Sequence, residues 1–413
     1  MGKYIKPLCV LIFVVTTASR LYSEIKIVPV GNLELLAGQY MLQTEATTVG
    51  GNFNFSFSPV ISFSPKTALL PIFFATYRGT KDVQELVGGG TLVQEYLDLG
   101  PVSLKFLYKL NNTTKFKFKT GYKIEYLKET ADEQWQKGLF DYNKTNFGAE
   151  IEKSLKNKTV NLRLSFDYNI TKYPNYASLI SQFQTTLDTT TYSELSENAG
   201  ENVLDNNSSD IGLEFGYKFS SFAETKMFYT YSLKNFVDQK IVNETGKFTS
   251  DLRTDVLHLL NLNFNFKLVN TIISLTDTVQ YYSSNQNSYD AGRTQYIPKF
   301  YNFYQNTVSP MVQLFLGPVE PKTKFGIYYE LSFRQYLERL SQDSVGNYLN
   351  EKIYQNTNTV GITVSYPLNN LLSGLFIKFN ANYCTVSSNM KYEKYYKYNY
   401  YVTNYFLGFV WEY

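Results

Sequence analysis

The stretch KFKFKTGYKIEY, residues 115–126, decides the fold. Phe116, Phe118, Tyr122, Ile124 and Tyr126 fall on one parity, and Lys115, Lys117, Lys119, Lys123 and Glu125 on the other. Successive side chains of an extended chain point to opposite faces, so this is a strand with one apolar face and one charged face. Soluble strands usually run about five or six residues. This one keeps its period from Lys115 to Tyr126, long enough for the ~9–11 residues of a tilted strand that crosses a bilayer.

The same alternation continues on both sides. Val160, Leu162, Leu164, Phe166, Tyr168 and Ile170 oppose Asn161, Arg163, Ser165, Asp167 and Asn169. Ile211–Phe219, Phe325–Phe333 and Leu375–Tyr383 repeat it. Short polar turns are predicted at Ser64–Lys66, Asn111–Thr114, Leu155–Lys158, Ser220–Ala223, Val269–Asn270, Gly317–Lys322 and Pro367–Asn370. Longer loops are predicted at Thr44–Gly51, Arg78–Gly90, Thr130–Lys137, Lys172–Ser209, Asp238–Leu252, Ser284–Lys299, Leu340–Lys352 and Met390–Tyr398. Short turns at one end and long loops at the other predict an all-β, antiparallel up-and-down barrel that spans a membrane. The expected count is 16 strands, with both chain ends at the short-turn end; loss of the weakly alternating first hairpin would leave 14. Thr91–Leu110 reads as one strand with a bulge at Gly100-Pro101, because a bulge tolerates proline. Asp277 falls among Ile273, Leu275 and Val279 on an apolar face, where it marks a register shift or an interface. No repeat of 20–50 residues is evident, which speaks against a solenoid.

The ends of the chain carry further signals. Lys3 and Lys6, then the apolar run Leu8–Val15, then Thr17, Ala18 and Ser19, predict a secretory signal peptide over residues 1–23. Residues 24–31 are expected as a short periplasmic segment and 32–413 as the barrel. Cleavage after Ser23 removes Lys3, Lys6 and Arg20 from the 39 basic residues and brings them level with the 36 acidic ones. A neutral mature chain argues against a nucleic-acid partner. Cys384 is then the one remaining cysteine, so the fold must hold without an internal disulfide. Beyond residue 23 there is no apolar run of about 18 residues for a spanning helix. The 37 Tyr and 31 Phe suit strands facing lipid on one side and a polar interior on the other.

At the C-terminus, Tyr405, Leu407, Phe409, Trp411 and Tyr413 share one face, with Gly408, Val410 and Glu412 on the other. The spacing Gly408-x-x-Trp411-x-Tyr413 resembles the C-terminal signal of bacterial outer-membrane β-barrel proteins. That family usually ends in Phe, and has a polar residue where this chain has Phe406. The resemblance implies a porin-like barrel in the bacterial outer membrane, in contact with outer-membrane lipids. It also implies delivery to the barrel-assembly machinery through Gly408, Trp411 and Tyr413, and leaves a homo-oligomer open.

Chemistry is sparsely supplied. The chain has one histidine, His258, on the apolar parity of Val256, Leu260, Leu262 and Phe264, which argues against a hydrolase. One histidine and one mature cysteine cannot form a nitrogen–sulfur metal cluster. Glu194, Glu197, Glu201, Asp205 and Asp210 could offer oxygen ligands to calcium, without EF-hand spacing, and read better as a solvated acidic loop. Gly88-Gly89-Gly90 lacks the Lys-Ser/Thr of a phosphate loop. No cofactor, metal or catalytic set is therefore expected.

The inward charges carry the functional expectation. With the apolar face toward lipid, Lys105, Lys109, Lys115, Lys117, Lys119, Lys123, Arg163 and Lys218 line the lumen as a charge wall. Lys226, Lys234, Lys267, Lys324, Arg334 and Lys378 join them, against Glu125, Asp167, Glu214, Glu224, Asp255 and Glu330. A wall of one sign selects counter-ions, so the sequence predicts passive diffusion of small solutes with a preference for anions. The bland alternative is that these lysines pair with carboxylates and fill the interior. At the level of function, the rivals are a surface-exposed structural or adhesive barrel with a closed lumen, and a hydrophobic-substrate transporter. The loop Lys172–Ser209 is long enough to narrow the mouth.

Overall fold

The computed structural model describes residues 25–42, 48–82, 92–128, 133–155, 159–176, 202–290, 292–318, 320–393 and 397–413. The predicted signal peptide, Gly88–Gly90, Glu194, Glu197, Glu201 and most of the loop Lys172–Ser209 lie outside these residues. A short strand, β1 (Lys26–Val28), precedes β2 (Gly31–Leu42), β3 (Thr48–Phe57) and its short continuation β4 (Val60–Ser62). Then come β5 (Thr67–Asp82), β6 (Leu92–Lys109), β7 (Thr114–Lys128), β8 (Tyr142–Leu155), β9 (Val160–Lys172) and β10 (Asn206–Lys218). The second half holds β11 (Ala223–Val242), β12 (Phe248–Leu268), β13 (Thr271–Ser284), β16 (Phe303–Leu316), β17 (Thr323–Gln342), β18 (Tyr348–Pro367), β19 (Leu375–Ser388) and β20 (Tyr400–Glu412). Between β13 and β16, β14 (Ser288–Asp290) and β15 (Gln295–Ile297) form a separate two-stranded sheet.

Sixteen strands pair antiparallel with their chain neighbours in a ring. The ring closes where β2 meets β20, with Leu35 opposite Phe409. Gly31 N–H donates to the Tyr413 carbonyl at 2.8 Å, and Tyr413 N–H donates back at 2.9 Å. Closure leaves no free main-chain edge, the condition for a sheet inside lipid. At this junction Gly408 has a physical cause: a Cβ there would collide with the Leu35 carbonyl and with Leu36 Cα. Gly38 is hemmed in the same way from the β20 side by the Tyr405 carbonyl.

The outer surface is apolar from strand to strand. Val102, Phe118, Phe147, Leu164, Leu213, Ile327, Val360 and Leu407 all stand exposed. Tyr168, Tyr281, Tyr304, Tyr354 and Tyr401 ring the loop end, and Phe219, Phe222, Phe266, Tyr366 and Tyr413 the turn end. An apolar band between two aromatic girdles is the outer face of a membrane barrel.

Ile27 of β1 pairs with Ile61 of β4. Several expectations are corrected. The turn predicted at Pro367–Asn370 extends to Gly374 before β19 begins. The loops expected at Asp238–Leu252 and Leu340–Lys352 are mostly strand, because β11, β12, β17 and β18 run to 20, 21, 20 and 20 residues. Each hairpin ends in a five-residue turn, Asn243-Glu-Thr-Gly246-Lys and Asp343-Ser-Val-Gly346-Asn. The first side chain of each accepts from N–H groups two and four residues on. Each fourth residue is a glycine at positive φ, +81° for Gly246 and +91° for Gly346. The two hairpins share a register, Lys240 opposite Leu252 and Leu340 opposite Lys352, with bulges at matching places. A structural repeat offset by 100 residues is thus present, outside the 20–50-residue range in which the sequence shows none. It keeps residue character more than identity: Lys234, Phe236 and Asp238 correspond to Arg334, Tyr336 and Glu338.

The bulge in β6 is as expected: one strand, with a register shift between Leu99 and Val102 around a cis Gly100-Pro101 bond. The register shift considered at Asp277 is absent, since β13 pairs continuously with both neighbours.

Candidate functional site

The inner face of β6–β10 is built by register. Pairing sets Lys115 opposite Glu152 and Lys117 opposite Glu150 across β7 and β8. Both pairs close, at 3.0 Å and 3.1 Å, and Lys117 also reaches Glu152 at 2.8 Å. Lys105 approaches Glu150 from β6 at 3.3 Å. Lys119 passes over β8 to Asp167 of β9 at 2.8 Å. The residue beneath that crossing is Gly148, where a Cβ would strike Asp167 Oδ1 and come within 2.5 Å of Lys119 Cε. Glycine is needed there so that two charged chains can meet over the strand between them. Higher up, Lys123 bridges Asp98 at 2.7 Å and Glu125 at 3.0 Å. Arg163 pairs with Glu214.

Of the predicted wall residues, Lys105, Lys115, Lys117, Lys119, Lys123 and Arg163 thus lie on the face opposite the apolar one and form a lattice of alternating signs. Glu150, Glu152 and Asp98 are the carboxylates of this lattice missed from the sequence. The alternation of Phe147, Ala149 and Ile151 against Gly148, Glu150 and Glu152 could have revealed the first two. Asp98 escaped because the β6 bulge inverts parity: Leu97 and Leu99 share a face before it, Val102 and Leu104 after it. Farther round the ring, Lys267 pairs with Glu224, Lys324 with Glu412 and Lys378 with Glu34.

The wall chemistry changes along the barrel axis. At the turn end, Lys109, Lys115, Lys218, Glu152, Asn112 and Asn161 help line an open cavity of about 730 Å³. Among the described residues, Lys109 and Lys218 have no ion-pair partner. At mid-barrel the wall of β12 and β13 is neutral. Asn261 donates to Thr278 at 2.8 Å, Asn263 to Thr276 at 2.9 Å, and Ser274 to Asn265 at 2.7 Å.

At the loop end the described residues include buried clusters. Arg253 and Asp255 are each 1% exposed and form a two-toothed pair, both hydrogen bonds 2.8 Å long. Phe236 and Tyr301 cover the guanidinium, their ring centres 4.4 Å and 3.9 Å from it. The Tyr282 hydroxyl donates to Asp255. Tyr282, Phe303, Tyr336, Ile353, Met390 and Tyr398 form an adjoining buried cluster, and Leu127, Phe140 and Leu204 a second one. Tyr173 and Tyr176 flank the second cluster and lie within electrostatic reach of Arg253 and Tyr301 of the first. Asp141, outside the strands, accepts from Leu127 N–H at 2.8 Å and from Asn175 at 3.1 Å. Burial holds its carboxyl above the usual carboxylate range.

The remaining candidates separate. His258 faces outward, where the Tyr229 hydroxyl meets its Nδ1 at 2.7 Å and Tyr231 and Tyr281 pack beside it. Asp205 accepts from Tyr173 N–H at 2.7 Å, and Asp210 from Asn169 at 2.7 Å, so these two acids serve the barrel wall and the loop base. Among the described residues no cluster of metal-ligating side chains occurs. Trp411 and Tyr413 pack with tilted rings at the turn end, 5.7 Å between ring centres, and Trp411 Nε1 donates to the Ser373 carbonyl at 3.2 Å.

No family model matches the chain, and no curated protein does. Among solved structures it is similar to in-vitro folded OmpT, an outer membrane protein of Vibrio cholerae, at 11% identity and a TM-score of 0.46, covering 95% of this chain and 99% of that one. CdiB from Acinetobacter baumannii gives 10% identity and a TM-score of 0.45 over 97% of this chain and 67% of that one. A mutant of the Rh. blastica porin gives 10% and 0.36 over 94% and 100%. These likenesses extend to barrel architecture alone. The closed, even-stranded ring and its girdled apolar band make the chain a transmembrane antiparallel β-barrel.

Proposed function

We propose that the protein is a porin-like channel for passive diffusion of small solutes, and not an enzyme. The observation that carries this reading is the wetness of the mid-barrel wall. The inward side chains of Lys119 and Lys105, opposite one another in mid-strand, keep 26% and 24% of their exposure, in a ring wide enough to hold water. A preference for anions fits the turn end, where Lys109 and Lys218 are not balanced as the lattice lysines are. Solutes pass by diffusion, screened by wall charge and by the width left beside the loop-end clusters. Assembly would use the last strand, with Gly408, Trp411 and Tyr413 as the segment offered to the barrel-assembly machinery.

The test is single-channel recording of the refolded mature chain in a planar bilayer under a salt gradient. Steady steps with an anion-side reversal potential are expected. Lys109→Glu with Lys218→Glu should move that potential toward cations, and an unmoved potential removes the charge assignment. A folded barrel that inserts silently overturns the channel. It would favour the second reading, a barrel with a closed lumen whose loops bind a partner, which the sealed Arg253 cluster supports.

A further inference from the structure

We infer that the outward face of β13 and β16 joins two copies of this chain about a two-fold axis along the membrane normal. The starting point is Asp277. Its place in a continuous register, opposite Leu262 on one side and Val308 on the other, turns it outward at mid-strand. Leu275 and Pro310 stand exposed beside it. The aromatic girdles lie well to either side, with Tyr281 and Tyr304 toward the loops and Phe266 toward the turns. Other mid-strand carboxylates, such as Glu150, Asp167 and Glu214, take part in the inward ion pairs. Lipid offers no hydrogen bonds, so an acid in this band needs a protein partner.

Half of that partner is in the chain. Asn306 Nδ2 donates to Asp277 Oδ1 at 2.7 Å. Among the described residues no donor reaches Oδ2. The spot therefore carries an acceptor and an amide donor side by side, on adjacent strands, and is complementary to itself. A two-fold axis between β13 and β16 sets each Asp277 against the Asn306 of the second copy, as an isologous contact requires. A head-to-tail contact with the β7–β10 side of the belt lacks this match. There Phe118, Phe147, Ile151, Leu164 and Leu213 offer no donor. The surrounding Leu260, Leu262, Val279 and Val308 are of modest size and let two barrels approach closely.

The test counts subunits in lipid vesicles by single-molecule photobleaching and traps the axis chemically. Val308→Cys in a Cys384→Ser background should be joined to its own copy by a short bifunctional thiol reagent, since a residue one strand from a two-fold axis lies close to its symmetry mate. Asp277→Leu, which gives lipid an apolar side chain and leaves the register alone, should lower the two-step fraction at least tenfold. It should keep the heat-sensitive gel mobility of a folded barrel. Single steps for the unmodified chain, a three-step distribution, or an Asp277→Leu variant that pairs as before overturns the proposal. Conductance per barrel is recorded alongside, so failure of the pairing is distinct from failure of the channel.

Discussion

The two mid-barrel walls solve one problem in different ways. Across β6–β10 the inner face is a lattice of ion pairs, Lys105, Lys117 and Lys119 against Glu150, Glu152 and Asp167. Across β12 and β13 it is a ladder of neutral side chains, Asn261 to Thr278 and Asn263 to Thr276. Both walls satisfy their polar groups by cross-strand register. They differ in what holds them. Attraction between partly solvated charges weakens as salt rises, whereas an amide–hydroxyl bond is nearly indifferent to it. An inward polar residue therefore needs both its sign and its partner before it says anything about selectivity.

The sharpest way to break the contrast is at its exception, the charged pair sealed into the loop end of the neutral side. Arg253→Ala leaves Asp255 buried without its cation and should cost about 3–5 kcal/mol, read from the denaturant midpoint of refolded barrels. Gly148→Val comes next. Its side chain enters the space of the Lys119–Asp167 pair and should cost about 1–3 kcal/mol, with reversal potential recorded on the same variant. Lys117→Gln removes one lattice cation and should cost about 1 kcal/mol in dilute buffer. Most of that loss should vanish near ~1 M salt, where the Debye length falls to ~3 Å. Asn261→Ala should cost about 0.5–1.5 kcal/mol at either salt concentration; a salt dependence equal to that of Lys117→Gln would erase the distinction between the walls. The smallest effect is expected of His258→Phe, within about 0.5 kcal/mol, since its ring lies outside the barrel among tyrosines.

The barrel was legible because one parity of each strand faces lipid and must be apolar, as Phe116, Phe118 and Tyr122 are. The placing of Lys115, Lys117 and Lys119 on the face away from the apolar one followed from the same rule. Their partners did not, because pairing depends on which strand lies alongside and in what register. Glu150 and Glu152 are distant in sequence from the lysines they neutralise. Strand ends were misjudged at Asp238–Leu252 and Leu340–Lys352, where strands continue past the girdles and the lipid requirement lapses. Polar residues are then tolerated on both faces, and alternation no longer marks a strand. The inward fold of the loop-end clusters was invisible for the same reason: Arg253 and Tyr301 are coupled by packing, not by period.

The joint between β2 and β20 has a consequence in time. Its partners, such as Leu35 and Phe409, come from opposite ends of the chain, so this contact has nearly the greatest sequence separation available. Contacts of that kind form slowly, after many others have reduced the entropy of bringing the ends together. Until then the first strand waits with one edge unsatisfied while the rest of the protein is delivered. Gly38 and Gly408 let the two backbones come close when they finally meet. A side chain at either position should show itself first as a delay in the final closing step, with open-edged, aggregation-prone intermediates accumulating before it.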